Sequence, residues 1–110
     1  MDDSKYELLE DILSCALDIK AFTKNKTLND YSGDRLLKAA VERKFEIIGE
    51  ALNRLKKMDE NLIEQIRDSR KIISFRNILV HAYDYIEDRI VWSIIQENLE
   101  DLISDVKIIK

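Results

Sequence analysis

Phe75-Arg76-Asn77-Ile78-Leu79-Val80-His81-Ala82-Tyr83 is the stretch around which the rest of this 110-residue chain is organised. It contains the only histidine of the chain and sets polar groups into an otherwise apolar run, which would normally belong to a protein core alone. The pattern predicts a helix from about Arg70 to Ala82 with a high share of apolar residues. We therefore expect this helix to bear the chemistry of the protein.

The composition of the whole chain predicts one all-α domain. Charged residues make up 36% of the chain and hydrophobic residues 45%, with two glycines and no proline, so the turn residues that β-folds require are scarce. At 110 residues the chain is long enough for one hydrophobic core. We expect residues 1–110 to form a single helical domain.

Apolar residues at helical spacing predict an up-and-down bundle of four to five helices. The longest break runs from Thr23 to Asp34, with one helical turn started by Thr27, and a short helix capped by Asp59 or Asn61 precedes the central stretch. Phe22 is expected to end the buried stripe of the first helix. The predicted long helices are Asp3 to Phe22, Asp34 (as N-cap) to Lys57, Arg70 to Ala82 and Glu87 to Ile109.

Gly49 interrupts the second long helix. A glycine inside a helix costs about 1 kcal/mol relative to alanine. Either another helix, of this chain or of a second copy, crosses closely at Gly49, or the glycine is simply tolerated. The sequence leaves both interpretations open.

Several classes of protein are disfavoured by the sequence. Cys15 is the only cysteine, which excludes an intramolecular disulfide, and no cluster of Asp, Glu or His stands at metal-ligand spacing. The acidic N-terminus is unlike a signal peptide, and no apolar stretch approaches the roughly 20 residues of a membrane span. We expect a cytoplasmic protein with no cofactor and no membrane association.

The net charge of −4 argues against a general nucleic-acid coat protein. Basic residues nevertheless concentrate between residues 35 and 57, and the flanking helices are acidic. This pattern is typical of complementary packing in a bundle, and it also fits a groove for nucleic acid.

The spacing within the central stretch decides which of its polar groups can cooperate. Asn77 and His81 are four residues apart and share a helix face. Arg76 lies about 140° around the helix from His81 and about 7.5 Å along its axis, so its long side chain or a second protomer must close the gap. Tyr83 can approach His81 only near a helix end at about Ala82 or across a partner surface.

The residue types indicate phosphodiester chemistry. A histidine can accept or donate a proton near neutral pH, and a guanidinium matches phosphate oxygens and stabilises charge on a five-coordinate phosphorus. Without a metal-ligand cluster, the most economical reaction is metal-independent RNA cleavage by the adjacent 2′-hydroxyl. Spacing alone leaves open that His81 only packs at a helix end.

The arrangement Arg-x-x-x-x-His-x-Tyr, formed by Arg76, His81 and Tyr83, resembles the signature of the HEPN superfamily, in particular its HepT-like branch. The segments 22–24, 47–51 and 90–95 also resemble the corresponding family blocks, so the resemblance covers nearly the whole chain. One departure is Ser69-Arg70, where family members often have Pro-Trp. Arg67, Arg70 and Lys71 then either add positive charge beside the site or are solvated surface residues.

The resemblance implies an all-helical homodimer with two facing motifs that acts as a metal-independent endoribonuclease on RNA. Arg76 and His81 are the catalytic residues, with Asn77 and Glu50 in support, Glu50 holding Arg76 in place. The implied partner is a minimal nucleotidyltransferase antitoxin of a type VII-like toxin-antitoxin pair, which adenylylates Tyr83 and makes the chain a phosphoprotein. The alternative function is a non-catalytic nucleotide-binding or scaffold subunit of a nucleotidyltransferase complex.

Overall fold

A computed structural model of the chain describes residues 3–81 and 86–110, and within these ranges it is helical with no strand. The four long predicted helices are all present, and two helices of five residues occupy the connections between them. The prediction of an all-α bundle is confirmed. The helices are α1 (Asp3–Thr23), α2 (Leu28–Ser32), α3 (Arg35–Met58), α4 (Glu60–Glu64), α5 (Ser69–His81) and α6 (Asp88–Ile109).

The predicted starts of α2, α3 and α4 are confirmed by their caps. Thr27 Oγ1 accepts a hydrogen bond from the backbone N–H of Asp30 at 3.2 Å, and the Asp30 carboxylate accepts one from the Thr27 N–H at 2.9 Å. Asp34 caps α3 and Asp59 caps α4, each by accepting from a backbone N–H in the first turn. These caps satisfy donors that would otherwise lack partners at the helix ends.

Helix α3 is the centre of the bundle, because it packs against α1 on one side and α5 on the other, while α6 packs against α1 and α2. The rings of Phe45 and Phe75 join α3 to α5 edge to face, with centroids 5.3 Å apart. The predicted apolar face of α3 is fully confirmed as core. Its buried members are Leu37, Val41, Phe45, Ile48, Leu52 and Leu55.

The end of α1 differs from the prediction that Phe22 closes its buried stripe. Phe22 is 37% exposed, and Thr23 takes the inward position instead. The Thr23 hydroxyl donates to the carbonyl of Ile19 at 2.8 Å, so its polar group is satisfied inside the helix. At the last turn of α1, the buried residue after Ile19 is Thr23, four positions further on, so Phe22 faces outward.

The sequence left open whether the basic residues of α3 serve complementary packing in the bundle or a groove for nucleic acid. The ion pairs of the structure divide these residues into two sets. Lys38 pairs with Asp88 of α6 at 3.2 Å, and Lys44 pairs with Asp18 of α1 at 2.9 Å, so part of the charge serves complementary packing. The remaining basic side chains of α3 that make no ion pair with a described residue are Arg35, Arg54, Lys56 and Lys57.

A charged clamp fixes the connection into α5. The Arg67 guanidinium donates to both oxygens of Asp105 on α6, at 3.1 and 3.0 Å, and the Arg67 backbone N–H donates to the same carboxylate at 3.1 Å. These hydrogen bonds hold the pKa of the buried Asp105 carboxyl below its usual value. Arg67 is therefore turned toward α6, and Arg70 pairs with Glu64, so neither is a free charge for the site.

Within the described residues, no helix combines the length and the apolar character needed to span a lipid bilayer.

Candidate functional site

Helix α5 divides its apolar run between two faces. Ile72, Phe75 and Leu79 are buried against the core, whereas Ile78 is 54% exposed and Val80 is 39% exposed. The buried residues recur at helical spacing and face α3. The site helix is thus anchored along one side and leaves apolar side chains on its surface.

His81 is the last residue of α5 that the structure describes, and its side chain is exposed. Ser74 and Asn77 precede it by seven and four residues, lie on the same face of the helix, and are also exposed. This face points away from the core residue Phe75. A substrate can therefore reach the imidazole of His81 from solvent.

Arg76 lies where α5 crosses α3, directly over Gly49. A β-carbon built on Gly49 would stand 2.1 Å from Cβ of Arg76, far inside any real contact, so only glycine allows this approach. Arg76 is half-buried, and its Nη1 donates to Oδ1 of Asn77 at 3.1 Å. Of the two interpretations that the sequence left open, the structure therefore supports a close helix crossing at Gly49, and the crossing helix is α5 of the same chain.

Two expected pairings around Arg76 have no direct contact within one chain. No hydrogen bond or ion pair among the described residues joins Glu50 to Arg76, and Glu50 is exposed on α3. Likewise none joins Arg76 to His81, which α5 places on different sides of the helix. The support of Arg76 by Glu50 stays a prediction.

The predicted helix end near Ala82 and the predicted modification site Tyr83 lie outside the described residues, together with Asp84 and Tyr85. The chain is described again from Ile86, which is not helical, and α6 begins at Asp88. Ile86 and Glu87 are thus non-helical residues directly before the last helix, and the helix end near Ala82 stays a prediction.

The described ranges, 3–81 and 86–110, contain no cluster of metal-ligating side chains. No three side chains of His, Cys, Asp or Glu come together there in a way that could hold a metal ion. Cys15 is buried, and this burial raises the pKa of its thiol. Cys15 is accordingly a core residue of α1.

Sequence reasoning identified Gly49 as unusual but did not identify its neighbour. The signal was a glycine inside a strongly amphipathic helix. Glycine lowers the stability of a helix relative to alanine, and no local feature of the sequence requires it there. The structure identifies Arg76 as the side chain that occupies the space.

Comparison with known proteins decides the family. A model of the HepT-like family, described as "Ribonuclease HepT-like", matches residues 12–109. The chain belongs to the HepT-like ribonuclease family. The resemblance to the HepT-like branch of the HEPN superfamily is confirmed, and the match includes the whole of α3 and α5.

Two relatives show how far the similarity to HepT-like proteins extends. A protein of Methanocaldococcus jannaschii named "Putative RNase MJ1380" is 31% identical over 101 residues, covering 92% of each chain. A protein of Thermococcus cleftensis named "Probable ribonuclease HepT" is 31% identical over 102 residues, covering 93% of this chain and 92% of its own. No solved structure was found to match this HepT-like chain.

Proposed function

We propose that this chain is the toxin of a type VII-like toxin-antitoxin pair and cleaves RNA without a metal ion, with Arg76 and His81 as catalytic residues. The observation that carries the proposal is the placement of these two residues on α5. His81 is exposed on α5, and Arg76 is held over Gly49 with its guanidinium hydrogen-bonded to Asn77. Membership of the HepT-like ribonuclease family supports the choice of RNA as substrate.

The reaction needs a base, an acid and a group that stabilises charge. The base removes the proton of a 2′-hydroxyl, and the freed oxygen attacks the adjacent phosphorus. The bond from phosphorus to the 5′-oxygen then breaks, and the acid donates a proton to that oxygen. The products have a 2′,3′-cyclic phosphate and a 5′-hydroxyl, and the Arg76 guanidinium stabilises the negative charge on the five-coordinate phosphorus.

One protomer supplies a single histidine, and α5 places it away from Arg76. A symmetric dimer that pairs the exposed faces of two α5 helices brings two histidines together as base and acid, and lets each arginine face the shared cleft. The exposed Ile78 and Val80 give this face apolar area that a second copy would bury. Asn77 supports the site by accepting the hydrogen bond from Arg76.

We expect sedimentation equilibrium at micromolar concentration to give about twice the chain mass of 12.9 kDa. Ile78→Asp should shift the protein to monomer and lower RNA cleavage, because a charge would be buried at the interface. Leu36→Asp is the matched control, since Leu36 is 81% exposed on α3 and its variant should remain dimeric. A wild-type protein that is monomeric under these conditions contradicts the dimer and the two-histidine mechanism.

The proposed reaction predicts that purified protein cleaves RNA in the presence of EDTA. The expected products are fragments with 2′,3′-cyclic phosphate and 5′-hydroxyl ends, which enzymatic end-labelling and mass spectrometry distinguish from hydrolytic ends. Loss of cleavage in EDTA and recovery with added Mg²⁺ would contradict metal independence. Binding of nucleotides without cleavage under any condition would favour the scaffold subunit.

The proposed partner is a minimal nucleotidyltransferase that transfers AMP to Tyr83. The modification would add a phosphodiester anion two residues after His81, where the RNA phosphate has to bind, and would occupy the donors of Arg76. The site would be switched off by charge and bulk while the helices stay folded.

A further inference from the structure

Helices α3 and α5 approach most closely at Gly49. A β-carbon at this position would lie 2.1 Å from Cβ, 2.5 Å from Cγ and 3.4 Å from Cδ of Arg76. Non-bonded carbon atoms need about 3.5 to 4.0 Å, so any larger residue would force the two groups apart by more than about 1 Å. The nearest atom is Cβ of Arg76, which the backbone of α5 fixes. A rotation of the arginine side chain therefore cannot remove the conflict.

The other glycine of the chain, Gly33, has no contact as close as the one between Gly49 and Arg76. A β-carbon on Gly33 would come no nearer than 3.4 Å to the carbonyl oxygen of Asn29, which is an ordinary contact. Gly33 has a right-handed helical backbone, with φ of −88°, that any residue can adopt. Gly33→Ala is thus a matched control for Gly49→Ala.

The placement of the Arg76 guanidinium depends on this contact. The carbon chain of Arg76 runs over the backbone at Gly49, and its Nε is buried without a hydrogen-bond partner among the described residues. Beyond that point Nη1 reaches Asn77 on the exposed face of α5. The groove at Gly49 therefore sets the direction in which the side chain leaves α5.

We propose that Gly49 is a positioning residue, which sets the depth of α5 against α3 and directs the guanidinium of Arg76 toward the phosphate of the substrate. The inference rests on the proposed function for its catalytic consequence and on packing alone for its structural part. Gly49 itself touches no reacting atom. It acts through Arg76.

The packing part of the proposal is tested by changing the size of the side chain at position 49 and, separately, at position 76. Gly49→Ala should lower the melting temperature by at least about 5 °C, because α5 is displaced, although alanine favours the helix. In an Arg76→Gly background, where the opposing Cβ is absent, the same Gly49→Ala change should raise the melting temperature. Gly33→Ala should change it by less than about 2 °C. An effect of the same sign and size in both backgrounds overturns the proposed contact.

The positioning part is tested by kinetics with RNA in EDTA. Gly49→Ala should lower kcat by at least about 10-fold while KM changes by less than about 3-fold, because a displaced guanidinium mainly loses its interaction with the transition state. Gly33→Ala should keep both parameters. A Gly49→Ala protein with wild-type kcat overturns the positioning role.

A measurement independent of cleavage separates this inference from the proposed function. The Arg76 Nε–H is buried in the native protein, so it should exchange slowly with water in NMR, and in Gly49→Ala it should exchange at least about 10-fold faster. Arg76→Lys identifies the resonance by its loss. If wild-type protein cleaves no RNA, the ribonuclease proposal fails while this exchange still decides the contact, and unchanged exchange in Gly49→Ala overturns it.

Discussion

His81→Ala is expected to lower the rate of RNA cleavage by about 100- to 10,000-fold, the usual effect of removing a proton-transfer group. Arg76→Ala should lower kcat by about 100- to 1,000-fold, because it removes a donor that stabilises charge in the transition state. Both proteins should keep the helical content and the sedimentation behaviour of the wild type. His81 is exposed, so its loss should change the free energy of unfolding by less than about 0.5 kcal/mol.

Two control variants separate chemistry from surface charge. Ser74→Ala changes an exposed residue on the same face of α5 as His81, and Arg43→Ala removes an exposed guanidinium on α3 that pairs with Glu46. Both should retain RNA cleavage. If His81→Ala or Arg76→Ala kept near-full activity in EDTA, the catalytic assignment would be wrong, and if both unfolded, the motif would be structural.

Tyr83→Phe is expected to leave the protein toxic even when the nucleotidyltransferase partner is produced with it. The variant keeps the ring but has no hydroxyl to accept AMP, so the site cannot be blocked. Mass spectrometry of the wild-type protein made together with that partner should find the added AMP on Tyr83. Cell growth with and without the partner gives the size of the effect, which should be complete loss of neutralisation.

The control variants for this experiment are Tyr85→Phe, which removes the hydroxyl of the tyrosine two positions after Tyr83 in the sequence, and Tyr6→Phe, which alters a tyrosine exposed on α1. Both should be neutralised as the wild type is. AMP found only on Tyr85, or a Tyr83→Phe protein that the partner neutralises normally, would contradict the assignment.

The helices could be predicted from the sequence because their signals are local. Asp34 and Asp59 each stand directly before an apolar pattern of period 3.6, and a side chain that caps a helix needs only the next turn as its partner. Thr27 and Asp30 form a complete capping box within four residues. Such features require no knowledge of the rest of the fold.

Features that depend on distant residues were not predictable in the same way. Arg67 and Asp105 are separated by 38 positions, and nothing in the spacing of either residue identifies the other. The sequence showed Gly49 to be unusual, but its contact with Arg76 joins two helices through the fold. Phe22 was predicted to be buried but is exposed, because at a helix end a shift of one residue exchanges an inward position for an outward one.

The candidate site was predicted from residue types and a family resemblance, not from periodicity. The pattern placed Arg76 and His81 on one helix, and the structure confirms that helix and its anchoring on α3. The sequence could not give the exposure of Ile78 and Val80 because both belong to the same apolar run as the core residue Leu79. Which side of such a run faces the core is settled only by the packing of the other helices.

The clamp between Arg67 and Asp105 holds the chain two residues before α5 begins, in addition to the packing that anchors the helix along its buried side. His81 lies twelve positions after Ser69, which is about 18 Å along the helix axis. A tilt of α5 by about 3° about its first turn would move His81 by about 1 Å. A displacement of this size can reduce a catalysed rate by about 100-fold. In the proposed mechanism, the placement of His81 therefore depends in part on the ion pair between Arg67 and Asp105, which lies at the other end of α5.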